Sequence, residues 1–307
     1  MPRSVIPVVS TVKAALDWLA SVQQSSAPKL ITGPRGSGKT VALKMWRQKL
    51  IEAGVPEGDT LFIDAESPVV TRMLSPDAFL DYVLSRTPPD RKSYIFIANV
   101  IAVPNAETAL ALLFARRQYE VISTSSAKHI MTGILAHYLA DTSHIAEFIP
   151  REKSYPEEAL WATWHNSISG DVMSGGRQID MYVMNRLVQF LSDHLGERMS
   201  LRDIASGISY DRMTVSPTTV SSYIDALDDS YILEQVLRVS RETAKLSKTG
   251  CLYLFLRPEL RLAAFGPAPE NEETRVAVNE AWLRLRQQDH RVFVENKDGK
   301  DVFVTRK

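Results

Sequence analysis

The sequence predicts an α/β fold: a parallel sheet with helices on both faces, followed by a helical domain and a small mixed α/β tail. Three observations carry this. Short, mainly apolar runs alternate with amphipathic ones through the first half of the chain, the pattern of strands buried on both faces between helices. A glycine-rich segment joins the first of those runs to a helix. After Pro150 the strand-like runs give way to nearly continuous helical periodicity.

From about Ser10 to Gln24, Val12, Ala15, Leu16, Leu19 and Val22 fall at helical spacing with Ser10 as candidate N-cap, and Ser-Ser-Ala-Pro at 25–28 ends the helix. Strands are expected at Lys29–Thr32, Thr60–Ile63, Ser93–Ile97 and Tyr119–Ser123, and a fifth at His144–Ile149. Helices are expected between them at Thr40–Ala53, Pro76–Ser85 and Ala106–Arg116. Beyond Pro150, helical periodicity covers Trp161–Ser167, Asp180–Leu195, Ser200–Ser206 and Ser216–Ser230. Asp171–Arg177 reads as a flexible joint, because Ser174, Gly175 and Gly176 offer little side chain to pack. The tail reads as a strand at Cys251–Leu256, a helix at Glu273–Gln288 and a hairpin of Val292–Glu295 with Asp301–Thr305. The expected division is therefore an N-terminal amphipathic helix (1–28), a core (29–155), a helical domain (156–240) and a tail (241–307).

Lys and Arg number 36, as do Asp and Glu, so no net basic field holds nucleic acid non-specifically. A composition 45% hydrophobic and 23% charged excludes a disordered or collagen-like chain. The single cysteine, Cys251, cannot close an internal disulfide. The first apolar run, broken by Lys13 and Asp17, is too short and polar for a signal segment or membrane span. These features point to a cytoplasmic protein with no membrane association.

Gly33-Pro34-Arg35-Gly36-Ser37-Gly38-Lys39-Thr40 fits G-x-x-x-x-G-K-[ST] at every fixed position, with a predicted strand before it and a helix after it. Glycines let successive backbone N–H groups point inward, and the helix adds its unpaired donors and positive dipole end, so phosphate oxygens fill the nest. Lys39 then reaches the β- and γ-phosphates as a point charge, the Thr40 hydroxyl coordinates Mg2+, and Arg35 adds a second cation.

Hydrolysis asks for more: a carboxylate at a neighbouring strand end to hold the magnesium shell, and usually a second to orient the attacking water. The strand Ser93–Ile97 ends instead in Ala98-Asn99. Asn99 can position a water, but a neutral amide is a poor general base. Asp64 and Glu66, after the second strand, lie on the sheet edge where ligands bind in open α/β folds; capping or solvated roles weigh against them. Thr124, Ser125 and Ser126, after the fourth strand, offer hydroxyls to a γ-phosphate or an N-cap to the next helix.

In the helical domain, Ser200–Ala205 starts a short helix, 207–215 is a turn-rich connection, and Ser216 with Pro217 at N1 starts a second helix, the order of a helix-turn-helix. Thr218, Thr219, Ser221 and Ser222 would face a groove, but the helix has no Arg or Lys and ends in Asp225, Asp228 and Asp229, which disfavours DNA over a protein partner.

On these residues the chain resembles a bacterial and archaeal family of AAA-related P-loop ATPases with a C-terminal winged-helix region and a restriction-endonuclease-like tail. LITGPRGSGKT, SYIFIANV, YEVISTSSAK, the stretch SLRDIASGISYDRMTVSPTTVSSYIDALDDSYILEQV and CLYLFLRPELRLAAFG carry the likeness in order. The resemblance implies a P-loop NTPase fold, ATP with Mg2+ as cofactors, a winged helix that meets a protein partner or DNA, and possible oligomers. Adenine selectivity rests on it alone. Ala98-Asn99 departs from the family's acidic pair, and Ala140-Asp141-Thr142 stands where the family places Gly-Arg, so its trans-acting arginine is missing too. Glu280 matches the tail's helix acid, but Asp301-Val302-Phe303-Val304 is one acid short and the chain stops at Lys307, so no nuclease activity is expected. The leading expectation is an ATP-binding protein with weak or absent hydrolysis, the nucleotide acting as switch or structural ligand. The alternatives are an ATPase that uses Asp64 or Glu66 for its metal site, and a DNA- or partner-binding adaptor with a vestigial nucleotide site.

Overall fold

The computed structural model describes residues 6–131, 135–150, 156–173, 178–210, 213–240, 245–267, 269–288, 291–297 and 300–305. The chain divides into two compact units, Met1–Arg151 and Glu152–Lys307.

The first unit is built on a six-stranded parallel sheet in the order β1-β6-β2-β5-β4-β3. Its strands are β1 (Val8–Val9), β2 (Lys29–Thr32), β3 (Thr60–Asp64), β4 (Ser93–Ala98), β5 (Tyr119–Ser125) and β6 (Ile145–Phe148). Helices α1 (Val12–Ser21) and α2 (Lys39–Glu52) cover one face, where Leu16, Leu19, Leu43 and Trp46 pack with Ile31, Phe96, Ile122 and Phe148. Helices α4 (Pro76–Leu84), α5 (Ala106–Phe114) and the short α6 (Leu135–Tyr138) bring Phe79, Val83, Leu110, Leu113 and Leu135 to the other face, against Leu30, Ile95, Ile97 and Val121. The single turn α3 (Pro68–Thr71) follows β3. Alternate residues of each strand thus enter opposite cores, which is why the strands read as mainly apolar runs without a polar alternation.

Strands β3, β4 and β5 run past those runs, through Asp64, Ala98 and Ser125, because their ladders continue: Asp64 pairs with Ala98, and Thr32 with Ser125. Helix α1 is capped by Thr11, not Ser10. Thr11 has the extended backbone a cap needs, and its hydroxyl accepts the Ala14 N–H at 3.1 Å. Within the expected N-terminal segment 1–28, residues 6–28 do not stand apart, since α1 packs on α2 and β1 pairs in parallel with β6, at Val8 with Glu147 and Val9 with Phe148.

The second unit begins with α7 (Glu157–Asn166), which runs on as a π-helix through Ser167–Val172. Asp171 and Val172 are therefore buried in a helix rather than part of a loose joint, and Ser174–Arg177 lie outside the described residues. Three capped helices follow. α8 (Met181–Asp193) uses Asp180, α9 (Leu201–Ile208) a Ser200/Asp203 capping box, and α10 (Pro217–Asp229) Ser216 with Pro217 at N1.

The expected helical domain 156–240 is corrected at its end, where 233–239 form a strand. This β7 (Leu233–Val239) pairs antiparallel with β8 (Leu246–Phe255) and parallel with β9 (Val292–Lys297), which pairs antiparallel with β10 (Lys300–Thr305). Helices α11 (Pro258–Phe265) and α12 (Glu272–Arg286) lie between β8 and β9 in the chain. A boundary at 240/241 would cut a sheet in two, and the tail's strands belong to the same unit as β7. The expected β9/β10 hairpin is present; its turn residues Asp298 and Gly299 lie outside the described residues.

Asn279 of α12 is fully buried and acts as a neighbouring strand would, accepting the Phe255 N–H at 2.8 Å and donating to the Phe255 carbonyl at 2.9 Å. Asn279→Leu leaves both groups buried without partners and is expected to destabilise the second unit by about 2–4 kcal/mol. The shift of its urea midpoint measures this. No described helix is long and apolar enough to cross a membrane.

Candidate nucleotide-binding site

β2 lies between β5 and β6, yet the chain leaves it for β3 at the far edge and reaches β6, on its other side, last. Such a switch point opens a crevice at the carboxyl ends of the strands, where ligands of open α/β sheets bind. Gly33–Thr40 fills this place.

Gly33 follows Thr32 with φ +145°, and its N–H donates to the Ser125 carbonyl at 3.2 Å. A Cβ there would lie 2.3 Å from the Phe148 carbonyl oxygen, so the loop starts where only glycine fits between β5 and β6. Gly36 (φ +75°) and Gly38 (φ +109°) turn the chain back into α2. Gly38 is the helix N-cap and supplies no side-chain cap, so the first turn of α2 presents its backbone donors and dipole at the loop.

Lys39 is buried, and its Nζ donates to the carbonyls of Gly33 and Pro34, both at 2.8 Å, and to Ser37 Oγ at 3.4 Å. The ammonium thus sits inside the curve of its own loop. The Thr40 hydroxyl belongs to an exposed residue of the first turn. These residues fit a polyphosphate with its magnesium: a glycine cradle closed against Phe148, a helix N-terminus, a lysine within the loop and an open hydroxyl. Among the described residues no group of three or more His, Cys, Asp or Glu forms a metal cluster, and Thr40 offers a hydroxyl to a cation carried by the phosphates.

The structure joins two of the other sequence candidates. Arg35 Nη2 meets Glu66 Oε1 at 2.7 Å, and Asn99 Nδ2 donates to the same oxygen at 2.7 Å. Burial pushes the Glu66 carboxyl up, but the hydrogen bond and charge of Arg35, the Asn99 amide and the Lys39 charge together outweigh it and hold it below the usual carboxylate range. Glu66 is therefore ionised at neutral pH. Asn99 has a left-handed backbone (φ +54°); its N–H donates to Thr124 Oγ1 at 2.9 Å, and its Oδ1 accepts from Ser126 N and Oγ at 3.2 and 2.9 Å.

Asp64 and Ser125 stand differently. Asp64 is exposed and its Oδ1 accepts the Glu66 N–H at 3.1 Å, a turn that orients Glu66. The Ser125 hydroxyl is fully buried and engaged with Ala127, donating to its carbonyl at 2.8 Å and accepting its N–H at 3.0 Å. Sequence reasoning passed over Glu147, buried in β6 and paired with Thr32 in register, one residue before the loop. An acid inside the apolar run Ile145–Ile149 was the signal that could have found it.

Two family models match the chain: residues 25–152 match an AAA domain and residues 154–255 a domain of unknown function (DUF8612). An uncharacterized protein of Haemophilus influenzae is 20% identical over 331 aligned positions, which cover 95% of this chain and 82% of that protein. Among solved structures, a Walker-type ATPase of Pyrococcus abyssi is similar with a TM-score of 0.46 at 11% identity, covering 86% of this chain and 99% of that one. The Aeropyrum pernix ORC2 protein in its ADP form has a TM-score of 0.37 at 12% identity, covering 89% and 93%. The likeness to an AAA domain thus lies within the first unit, over residues 25–152.

Proposed function

We propose that the first unit binds magnesium-ATP at Gly33–Thr40 and hydrolyses it slowly or not at all, the nucleotide serving as a switch or structural ligand. The observation that carries this is the end of β4. A Walker B acidic pair is replaced there by Ala98-Asn99, and the Asn99 side chain is engaged on both sides, with Ser126 and with Glu66. Arg35, Lys39 and the backbone donors of the loop and of α2 bind and orient the phosphates, and Thr40 holds the cation. Bound magnesium supplies charge neutralisation at the β- and γ-phosphates.

Calorimetry with magnesium-ATP, paired with phosphate release over hours, tests this reading. Lys39→Ala removes a charge-assisted contact and is expected to weaken binding about ten- to a hundredfold, with little turnover in either protein. Affinity unaffected by Lys39→Ala would overturn the reading and favour an adaptor with a vestigial site.

A second reading, an ATPase in which Glu66 orients the attacking water, is favoured by the Asn99–Glu66 hydrogen bond, which brings a carboxylate to the end of β4 from the neighbouring strand. Turnover lost in Glu66→Gln while binding persists would select it. In the second unit, α9 and α10 followed by the β7/β8 hairpin support a winged helix. Its acidic α10, where Asp225 lies 4.0 Å from Lys248, suits a protein partner better than DNA.

A further inference from the structure

We infer that Glu66 is an internal anion that competes with the nucleotide's phosphates for Arg35 and thereby sets the affinity of the loop; this rests on the reading of Gly33–Thr40 as a phosphate-binding loop. Arg35 belongs to the loop itself, whereas Glu66 reaches it from beyond the end of β3, at 2.7 Å. A carboxylate on a guanidinium uses the donor fork that a phosphate would use, so the same cation cannot serve both fully at once.

The two supports of Glu66 differ in kind. Asn99 is fixed, by its own N–H on Thr124 and by Ser126 on its carbonyl oxygen. Arg35 is a long side chain on a turn of the loop, 18% exposed, and its contact with Glu66 is a single ion pair at the edge of the site. A polyphosphate arriving beside Lys39 brings several negative charges toward Glu66. Arg35 is then drawn to the phosphates and Glu66 stays with Asn99, so binding includes the cost of breaking the Arg35–Glu66 pair.

The test is a double-mutant cycle on the full chain, with magnesium-ATP affinity measured by calorimetry at moderate salt for the parent, Glu66→Gln, Arg35→Gln and the double variant, and Lys39→Ala as control. Glu66→Gln is nearly isosteric, can still accept the Asn99 hydrogen bond, and sits at a residue 43% exposed, so the fold is retained. It is expected to bind about fivefold more tightly, the worth of an ion pair that solvent partly reaches. Arg35→Gln is expected to bind more weakly, and adding Glu66→Gln to it to bring no further gain. Unchanged or weaker binding by Glu66→Gln overturns the inference. An equal gain with and without Arg35 does so too, since it would reflect only the removal of a nearby negative charge. Either result beside Lys39-dependent binding leaves the nucleotide site standing, whereas no Lys39-dependent binding in any variant removes both.

Discussion

Gly33→Ala is expected to abolish nucleotide binding and to destabilise the first unit by about 3 kcal/mol or more. Two costs add. A φ of +145° is one that alanine rarely adopts, and the new Cβ would lie 2.3 Å from the Phe148 carbonyl oxygen, backbone that cannot rotate away. Nor can the residue retreat easily, because its N–H is bonded to Ser125 on the opposite strand. Gly54 is the matched comparison, with φ +101° and nothing within 4 Å of where a Cβ would stand, so Gly54→Ala meets backbone strain alone, about 1 kcal/mol. Urea unfolding of both variants separates strain from collision. Equal losses would show that the crowding against Phe148 relaxes freely.

Glu120→Ala is expected to cost about 3–5 kcal/mol, read as a lowered unfolding midpoint. Glu120, at the start of β5, is almost fully buried and holds two lysines, Lys29 Nζ at 2.9 Å and Lys92 Nζ at 2.6 Å. Lys29 is 1% exposed, so removing the carboxylate leaves an ammonium in the sheet that donates, among the described residues, to the neutral Ser25 and Ala27 carbonyls. Glu120→Gln keeps an acceptor there and is expected to lose less. Lys92→Ala, at a residue half exposed, is expected to cost under about 1 kcal/mol. A Glu120→Ala loss no larger than that of Lys92→Ala would mean that water reaches Lys29.

The parallel sheet was legible because both faces of its strands are buried, and no polar period hides the apolar runs. β7 was not legible, for a specific reason. Leu233, Val236 and Val239 are its buried residues, at a spacing of three that reads as a helix, and a register shift between Val236 and Arg238 is what breaks the two-residue period of the strand. The phosphate loop is a local motif and could be read directly. The meeting of Arg35, Glu66 and Asn99 could not, because β2 is separated from β4 and β3 by β5 in the sheet, and only the topology and the loops at its carboxyl edge bring the three together. The same holds for Glu147, whose proximity to the loop depends on β6 pairing with β2 rather than on anything near it in sequence.

The place of β9 between β7 and β10 bears on how the chain leaves the ribosome. β7 and β8 can form a hairpin as soon as Phe255 emerges, but the other edge of β7 must wait for α11, α12 and then Val292–Lys297. For that interval a nascent chain displays a row of unpaired backbone groups, a template for pairing with a neighbouring polypeptide on the same message. Slow decoding between Phe255 and Val292 would lengthen that exposure, at the edge where Arg238 and Val239 later meet Val294 and Glu295.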